Sequence, residues 1–173
     1  MTDPAAGRVP SLRVGQGFDV HGFSEDPGRE LVLGGVKIPG ERALEGHSDA
    51  DVVIHALADS LLGAASLGDL GSLFPDDDPE WEGAASLELL EIVVSRLRET
   101  GARPVNADCT VICDRPRLAP YGARMAETLT SAVGAPVGVK AKRAEGLGAL
   151  GRGEGIACIA VALVELETGE ATA

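Results

Sequence analysis

Several stretches of the chain alternate hydrophobic and polar residues, and this two-residue period predicts β-strands. The stretches cover residues 12–21, 106–113, 137–142 and 156–165. Residues 30–33 and 36–38 are two short apolar segments, and the Gly34-Gly35 dipeptide between them predicts a β-hairpin. The pattern therefore supplies strands for a sheet and one hairpin, which Pro39-Gly40 closes.

Three other segments repeat their apolar residues at helical spacing. The first begins after Ser48, whose hydroxyl is predicted to cap a helix with Val53, Leu57, Leu61 and Ala64 on one face. Ser86 is predicted to cap the second helix, which stops at Gly101, and the third covers residues 121–133 and stops at Gly134. Strands and helices mixed in this order favour an α+β fold, in which helices pack on one face of a small mixed sheet.

The length fits a single domain over residues 1–173, with residues 1–11 and 168–173 as flexible tails. Only 3% of the residues are aromatic, so Val, Leu, Ile and Ala must fill a thin core. Oligomerisation would help to stabilise such a chain. A loop rich in Gly, Asp and Pro covers residues 68–83. Its length predicts a binding segment or lid, and the alternative is a solvated acidic turn.

The net charge of −12 argues against nucleic acid and anionic membrane surfaces as partners. A phosphorylated substrate would therefore need metal ions, backbone N–H groups or a local cluster of Lys and Arg. No run approaches the roughly 20 apolar residues that cross a bilayer, and no apolar signal core opens the chain, so we expect a cytoplasmic protein. Cys109, Cys113 and Cys158 form no Cys-x-x-Cys pair, and we interpret them as buried small hydrophobes.

A candidate metal site combines Asp19, His21 and His55. Residues two apart on a strand share a face, so Asp19 and His21 lie side by side, and a helix that packs on the sheet can bring His55 to the same point. Two imidazoles and a carboxylate suit zinc, and three protein ligands leave one position open for a substrate. Asp51 or Asp59, four residues from His55 on the helix, is predicted to accept its other ring N–H.

The alternative interpretation is that Asp-x-His occurs by chance and that His55 is a histidine at the edge of the core. All three histidines, His21, His47 and His55, fall within one short span that also holds Asp19, Asp49 and Asp51. This clustering favours the metal site.

The chain resembles the 2-C-methyl-D-erythritol 2,4-cyclodiphosphate synthases over nearly its whole length. The resemblance is carried, in order, by Gly17-Phe18-Asp19-Val20-His21, His47-Ser48-Asp49-Ala50-Asp51, His55-Ala56-Leu57, Leu67-Gly68-Asp69-Leu70-Gly71, Phe74-Pro75-Asp76 and Gly151-Arg152-Gly153-Glu154-Gly155. It implies a homotrimer with active sites between adjacent subunits. It also implies a zinc-dependent phosphorus-oxygen lyase of the non-mevalonate isoprenoid pathway.

The resemblance assigns roles to individual residues. Asp19, His21 and His55 hold zinc, and Glu145 reaches a second divalent ion, magnesium or manganese. In the implied reaction we expect His47 and Arg143 to be the catalytic donors to the developing charge. The substrate-binding residues near the metal and in the loop are Asp19, Val20, His21, His47, Ser48, Asp69, Leu70, Gly71, Phe74, Pro75, Asp76, Asp77 and Asp78. Those expected around the cytidine nucleotide are Cys113, Asp114, Arg115, Pro116, Arg117, Leu118 and Ala119. The remaining expected substrate-binding residues are Lys142, Arg143, Ala144, Glu145, Ala149 and Arg152.

The sequence departs from the family pattern at Lys142-Arg143-Ala144, where many members carry threonines. Two cations here keep hydrogen-bond donation and add charge beside a diphosphate, and the alternative is a salt-bridged strand end. The implied reaction converts 4-diphosphocytidyl-2-C-methyl-D-erythritol 2-phosphate into the 2,4-cyclodiphosphate and CMP. Two alternatives are a zinc phosphohydrolase and a non-catalytic trimeric protein of the same fold that binds metal or an isoprenoid.

Overall fold

The computed structural model describes residues 11–75, 77–81 and 83–166. Both predicted tails, apart from Ser11, and the predicted substrate-binding residue Asp76 lie outside the described residues. The four strands of the main sheet lie in the order β1 (Ser11–Gly22), β6 (Gly155–Leu166), β4 (Ala102–Ile112) and β5 (Val137–Lys142). The β4–β5 pair is parallel and the other two pairs are antiparallel, so the predicted mixed sheet is confirmed.

The predicted hairpin consists of β2 (Val32–Leu33) and β3 (Val36–Lys37). The three predicted helices are α1 (Val52–Ala65), α3 (Ser86–Glu99) and α4 (Gly122–Val133). The predicted loop at residues 68–83 contains α2 (Leu70–Leu73) and a 3₁₀ turn (Pro79–Trp81), and α5 (Gly148–Gly151) precedes β6. The fold is therefore α+β, with α1 packed directly on β1 and β6.

The predicted helix caps are wrong in two places. Asp51, not Ser48, caps α1, because its carboxylate accepts hydrogen bonds from the backbone N–H groups of Val53 and Ile54. Ser86 is the first residue of α3, not its cap, and its hydroxyl points to other partners. A sequence pattern places a hydroxyl near a helix start but does not say which backbone amide it reaches.

The Asp51 carboxylate also joins the hairpin to α1. Its two oxygens accept the N–H groups of Gly34 (2.8 Å) and Gly35 (2.7 Å), both of which have positive φ. Asp51 is fully buried, so these hydrogen bonds compete with no solvent. One side chain thereby fixes both the hairpin turn and the start of the helix that carries His55.

Close approach of α1 to β1 depends on two glycines. A Cβ atom added at Gly15 would lie 1.9 Å from the carbonyl oxygen of Ser60, and one at Gly17 would lie 1.9 Å from that of Ala56. The helix backbone therefore rests on the strand backbone with no side chain between them. This contact lies next to His55 and two residues before Asp19, so it sets the separation of the two halves of the candidate metal site.

The core is built from small and branched aliphatic side chains, as the composition predicts. Its largest fully buried side chains are leucine, isoleucine and methionine, and the three cysteines are free and buried. The opposite face of the sheet carries exposed apolar side chains, between 44% and 69% exposed, at Leu12, Val14, Phe18, Val20 and Val161. Among the described residues, no helix is both long and apolar enough to cross a membrane.

Candidate metal centre and substrate clefts

Asp19, His21 and His55 converge as the sequence predicts. The residues of β1 alternate between the two faces of the sheet, and Asp19 and His21 lie on the face that packs on α1. Asp19 Oδ2 lies 3.0 Å from His21 Nε2 and 3.0 Å from His55 Nδ1, and the two nitrogens are 3.3 Å apart. Three potential metal-ligand atoms therefore form one compact triangle.

This triangle fits a tetrahedral zinc ion. Zinc bonds of about 2.0–2.1 Å place neighbouring tetrahedral ligands about 3.3–3.4 Å apart, so the observed triangle needs to expand by only a few tenths of an ångström. Burial raises the pKa of Asp19, but hydrogen bonds and charge from His21 and His55 lower that pKa more, well below its usual range. Asp19 is therefore ionised at neutral pH, as a metal ligand must be.

Hydrogen bonds fix the orientation of both imidazoles. His21 Nδ1 donates to the backbone carbonyl of Glu45 at 2.6 Å, which leaves Nε2 facing Asp19. His55 Nε2 lies 2.9 Å from Ser86 Oγ, and the same hydroxyl donates to Asp49 Oδ1. Each histidine thus presents one nitrogen to the triangle and uses the other to hold its ring, the arrangement typical of metal-binding histidines.

The predicted partners of the His55 ring are wrong. The hydrogen bonds of the Asp51 carboxylate go to backbone N–H groups, and Asp59 accepts the N–H of Leu70 at 2.8 Å. Burial raises the pKa of Asp59. The partner of His55 Nε2 is Ser86, which donates to Asp49, and not the predicted Asp51 or Asp59. Ser86 lies 31 residues beyond His55, so no local spacing rule could have identified it.

A cleft of about 270 Å³ opens beside the triangle. The predicted residues that line it are Asp19, His21, His47, Ser48, His55, Leu70, Gly71 and Phe74, and Trp81 adds an edge-to-face contact with Phe74 at 4.9 Å between ring centroids. His47 Nε2 is buried and has no hydrogen-bond partner among the described residues. The residue lines the cleft, but the Nε2 atom itself is closed to solvent in this structure.

The acidic residues of the loop face different neighbours. Asp69 caps α2 by accepting from the backbone N–H and the hydroxyl of Ser72, and these hydrogen bonds lower its pKa. Asp78 accepts the N–H of Glu80 at 3.0 Å, so it starts the 3₁₀ turn. Asp69, Pro75, Asp77 and Asp78 do not line the cleft in the part of the loop that the structure describes.

A second cleft, of about 740 Å³, runs along residues 113–119 and is lined on its other side by Lys142 and Arg143. Arg143 Nε donates to Asp114 Oδ1 at 3.1 Å, and the backbone N–H of Gly146 points to Asp114 Oδ2 at 3.4 Å. Asp114 therefore joins the two segments. Arg152 lines an adjoining cleft of about 380 Å³ together with Arg115 and Arg143. The cations predicted for the phosphates thus lie together.

Within one chain, the cleft beside the triangle and the cleft along residues 113–119 share no lining residue. His21 on β1 and Lys142 on β5 are near the same end of the sheet, but three strand spacings, about 14 Å, separate them. Glu145, whose backbone φ of 53° is in the left-handed region, follows β5 and is not part of the triangle. Val20 points to the outer face, and Ala144 and Ala149 line neither cleft in the described structure.

Comparisons of the whole chain with known proteins point to one family. The model of the YgbB family matches residues 12–165. A 2-C-methyl-D-erythritol 2,4-cyclodiphosphate synthase of Symbiobacterium thermophilum is 54% identical over 156 residues, which cover 88% of this chain and 98% of the relative. The bifunctional IspDF of Campylobacter jejuni superposes with a TM-score of 0.86 at 37% identity, over 92% of this chain and 43% of that protein. The Plasmodium falciparum IspF in complex with CDP superposes with a TM-score of 0.78 at 28% identity, over 93% and 100% of the two chains.

Proposed function

The chain belongs to the YgbB family, and we propose that a zinc ion held by Asp19, His21 and His55 supports its reaction. The reaction is the intramolecular phosphoryl transfer of the non-mevalonate isoprenoid pathway. The 2-phosphate of 4-diphosphocytidyl-2-C-methyl-D-erythritol 2-phosphate attacks the β-phosphorus, and the bond from that phosphorus to the CMP oxygen breaks. The products are 2-C-methyl-D-erythritol 2,4-cyclodiphosphate and CMP. The convergence of the three ligands in a cleft is the observation that carries the zinc proposal.

The substrate supplies its own nucleophile, so the chain needs only to align two phosphates and offset their repulsion. A zinc ion held by Asp19, His21 and His55 would supply Lewis-acid polarisation of a phosphate oxygen. The proposed donors are His47, which lines the cleft beside the triangle, and Arg143, whose guanidinium Asp114 holds. Both groups would stabilise charge that develops on the phosphoryl oxygens.

Glu145 is proposed to hold a second divalent ion, magnesium or manganese, together with the substrate diphosphate. Its left-handed backbone supports this role, because non-glycine residues adopt that conformation rarely and often at functional sites. Glu145→Gln should raise the magnesium or manganese concentration needed for half-maximal rate. An unchanged dependence on both ions would remove Glu145 from that site.

We also propose a homotrimer whose active sites lie between subunits. His21 and Lys142 lie about 14 Å apart across one sheet, and the cleft beside the triangle shares no lining residue with the cation-lined cleft. A neighbouring subunit could therefore place its cation-lined cleft beside this triangle. The exposed apolar side chains on the outer face of β1 and β6 offer the surface for such an assembly. Val14→Glu should dissociate the oligomer, as measured by sedimentation velocity. The control Ser131→Glu adds the same charge at an exposed position of α4 and should leave the oligomer intact. An oligomer that survives Val14→Glu would remove this face from the interface.

One assay tests the central proposal. CMP release should stop when a chelator removes zinc and return when zinc is restored, and His55→Ala should lose both bound zinc and turnover. Full zinc stoichiometry in His55→Ala would remove His55 from the site. Product analysis separates the alternatives, since a phosphohydrolase gives open-chain phosphates and a non-catalytic binding protein releases no CMP.

A further inference from the structure

Two side chains that the family resemblance does not assign lie directly behind the metal ligand His55. Ser86 Oγ lies 2.9 Å from His55 Nε2 and donates to Asp49 Oδ1, while Asp49 Oδ2 accepts the backbone N–H of Ser86 at 3.2 Å. Ser86 is fully buried. The serine is therefore held at two points by one carboxylate and contacts the ring from the side opposite the triangle.

The direction of these hydrogen bonds determines which ring nitrogen of His55 carries the proton. An ionised carboxylate only accepts, so the Ser86 hydroxyl must use its hydrogen on Asp49. The remaining lone pairs of Ser86 can then only accept, and His55 must donate from Nε2. His55 Nδ1, 3.0 Å from Asp19 Oδ2, is then the nitrogen available to a metal ion, which would replace the hydrogen bond that Asp19 accepts from this nitrogen in the metal-free protein.

We infer that Ser86, fixed by Asp49, is a positioning residue that orients the His55 ring and holds the tautomer that binds metal. The inference rests on the proposed zinc site. Contacts of this kind around metal-binding histidines are worth about 10- to 100-fold in metal affinity. Ser86 is also the first residue of α3, so the same hydroxyl attaches the end of the acidic loop to a metal ligand.

Ser48 is the competing partner for the same nitrogen. Its hydroxyl lies 3.3 Å from His55 Nε2, farther than Ser86, and accepts the backbone N–H of Ala50 at 3.2 Å. Ser48 lines the cleft, whereas Ser86 is fully buried. The shorter distance and the link to Asp49 favour Ser86.

The test measures zinc affinity in the full-length protein by competition with a chromophoric chelator. Ser86→Ala should weaken zinc binding by about 10- to 100-fold and change the d–d absorption spectrum of the cobalt-substituted protein. Ser60→Ala is the matched control, because Ser60 is an equally buried serine whose hydroxyl donates to Leu57 O within α1, away from the ligands. It should leave zinc affinity and the cobalt spectrum unchanged.

Asp49→Ala provides a second route if Ser86→Ala fails to fold, and it should weaken zinc binding in the same range. Asp49→Asn keeps an acceptor for the serine hydroxyl and should restore part of the affinity. Zinc affinity of Ser86→Ala within twofold of the Ser60→Ala control would overturn the inference, and so would a larger loss in Ser48→Ala than in Ser86→Ala. A wild-type protein that binds no zinc would instead refute the metal site itself.

Discussion

Gly17→Ala tests whether the contact between two backbones positions the candidate metal site. The added Cβ would lie 1.9 Å from the carbonyl oxygen of Ala56 and 2.8 Å from the backbone nitrogen of Ser60. Both atoms belong to the backbone of α1, so no side-chain rotation can relieve the overlap. The helix must therefore move away from β1, and His55, the neighbour of Ala56, must move with it.

The size of the effect follows from these distances. Ordinary contact distances begin near 3.4 Å, so α1 has to shift by about 1.5 Å at this point. Overpacking a core costs about 1–3 kcal/mol, and a backbone clash belongs at the upper end, about 3 kcal/mol. For a chain of this size that lowers the melting temperature by about 6–12 °C. A shift of this size also far exceeds the roughly 0.2 Å tolerance of metal–ligand distances, so zinc affinity should fall at least about tenfold.

Thermal denaturation at one protein concentration and chelator competition measure the two effects. Gly22→Ala is the matched control on the same strand, because its added Cβ would meet nothing closer than 3.7 Å, from the carbonyl oxygen of Glu154. Equal melting temperatures for Gly17→Ala and Gly22→Ala would refute the packing argument. A destabilised Gly17→Ala protein with wild-type zinc affinity would refute the link from packing to the metal site.

Three further predictions concern single side chains. Asp51→Ala should lower the free energy of unfolding, measured by urea denaturation, by about 3 kcal/mol or more, because four backbone N–H groups lose their buried acceptor. The control Asp26→Ala lies at an exposed turn and should lower the same free energy by less than about 1 kcal/mol. Folding lowers the pKa of Asp19, so its ionised form stabilises the folded protein at pH values above the unfolded-state pKa near 4. This stability is lost as the pH falls toward the folded-state pKa. The melting temperature of the metal-free wild-type protein should therefore fall more than that of Asp19→Asn between about pH 4 and 2. Burial and the neighbouring Asp114 raise the pKa of Cys113 to about 11, so iodoacetamide at pH 8 should leave this thiol unmodified in the folded protein by mass spectrometry and alkylate it after unfolding.

Local periodicity was enough to predict the four strands of the sheet, the hairpin, the three long helices and the convergence of Asp19, His21 and His55. Asp19 and His21 share a face because a strand has a two-residue period, as predicted from the sequence. His55 reaches the same point because α1 packs on this face. The partners of the His55 ring were not predictable, because Ser86 comes from a helix whose position depends on the whole chain fold.

The cation-lined cleft shows another limit of local patterns. Residues 113–119 have no periodicity, and only the family resemblance singled them out. These residues lie close to Lys142 and Arg143 because β4 and β5 pair in parallel, so that the C-terminal ends of both strands lie at the same end of the sheet. A parallel pair needs a long crossover, here through α4, so its register cannot be inferred from either strand alone.

The two faces of β1 link catalysis to assembly in the proposed function. Inward positions carry Gly15 and Gly17, which receive α1, and Asp19 and His21, which belong to the proposed metal site, while Val14 and Phe18 point outward to the proposed subunit interface. A one-residue slip of β1 against β6 would exchange these faces, exposing the metal ligands and placing Phe18 where α1 needs a glycine. The proposed metal site and the proposed subunit interface therefore both require the observed register of β1 against β6. A substitution that weakens the outer face would be expected to reduce turnover by separating the two clefts of each active site, while zinc stays bound within the single chain.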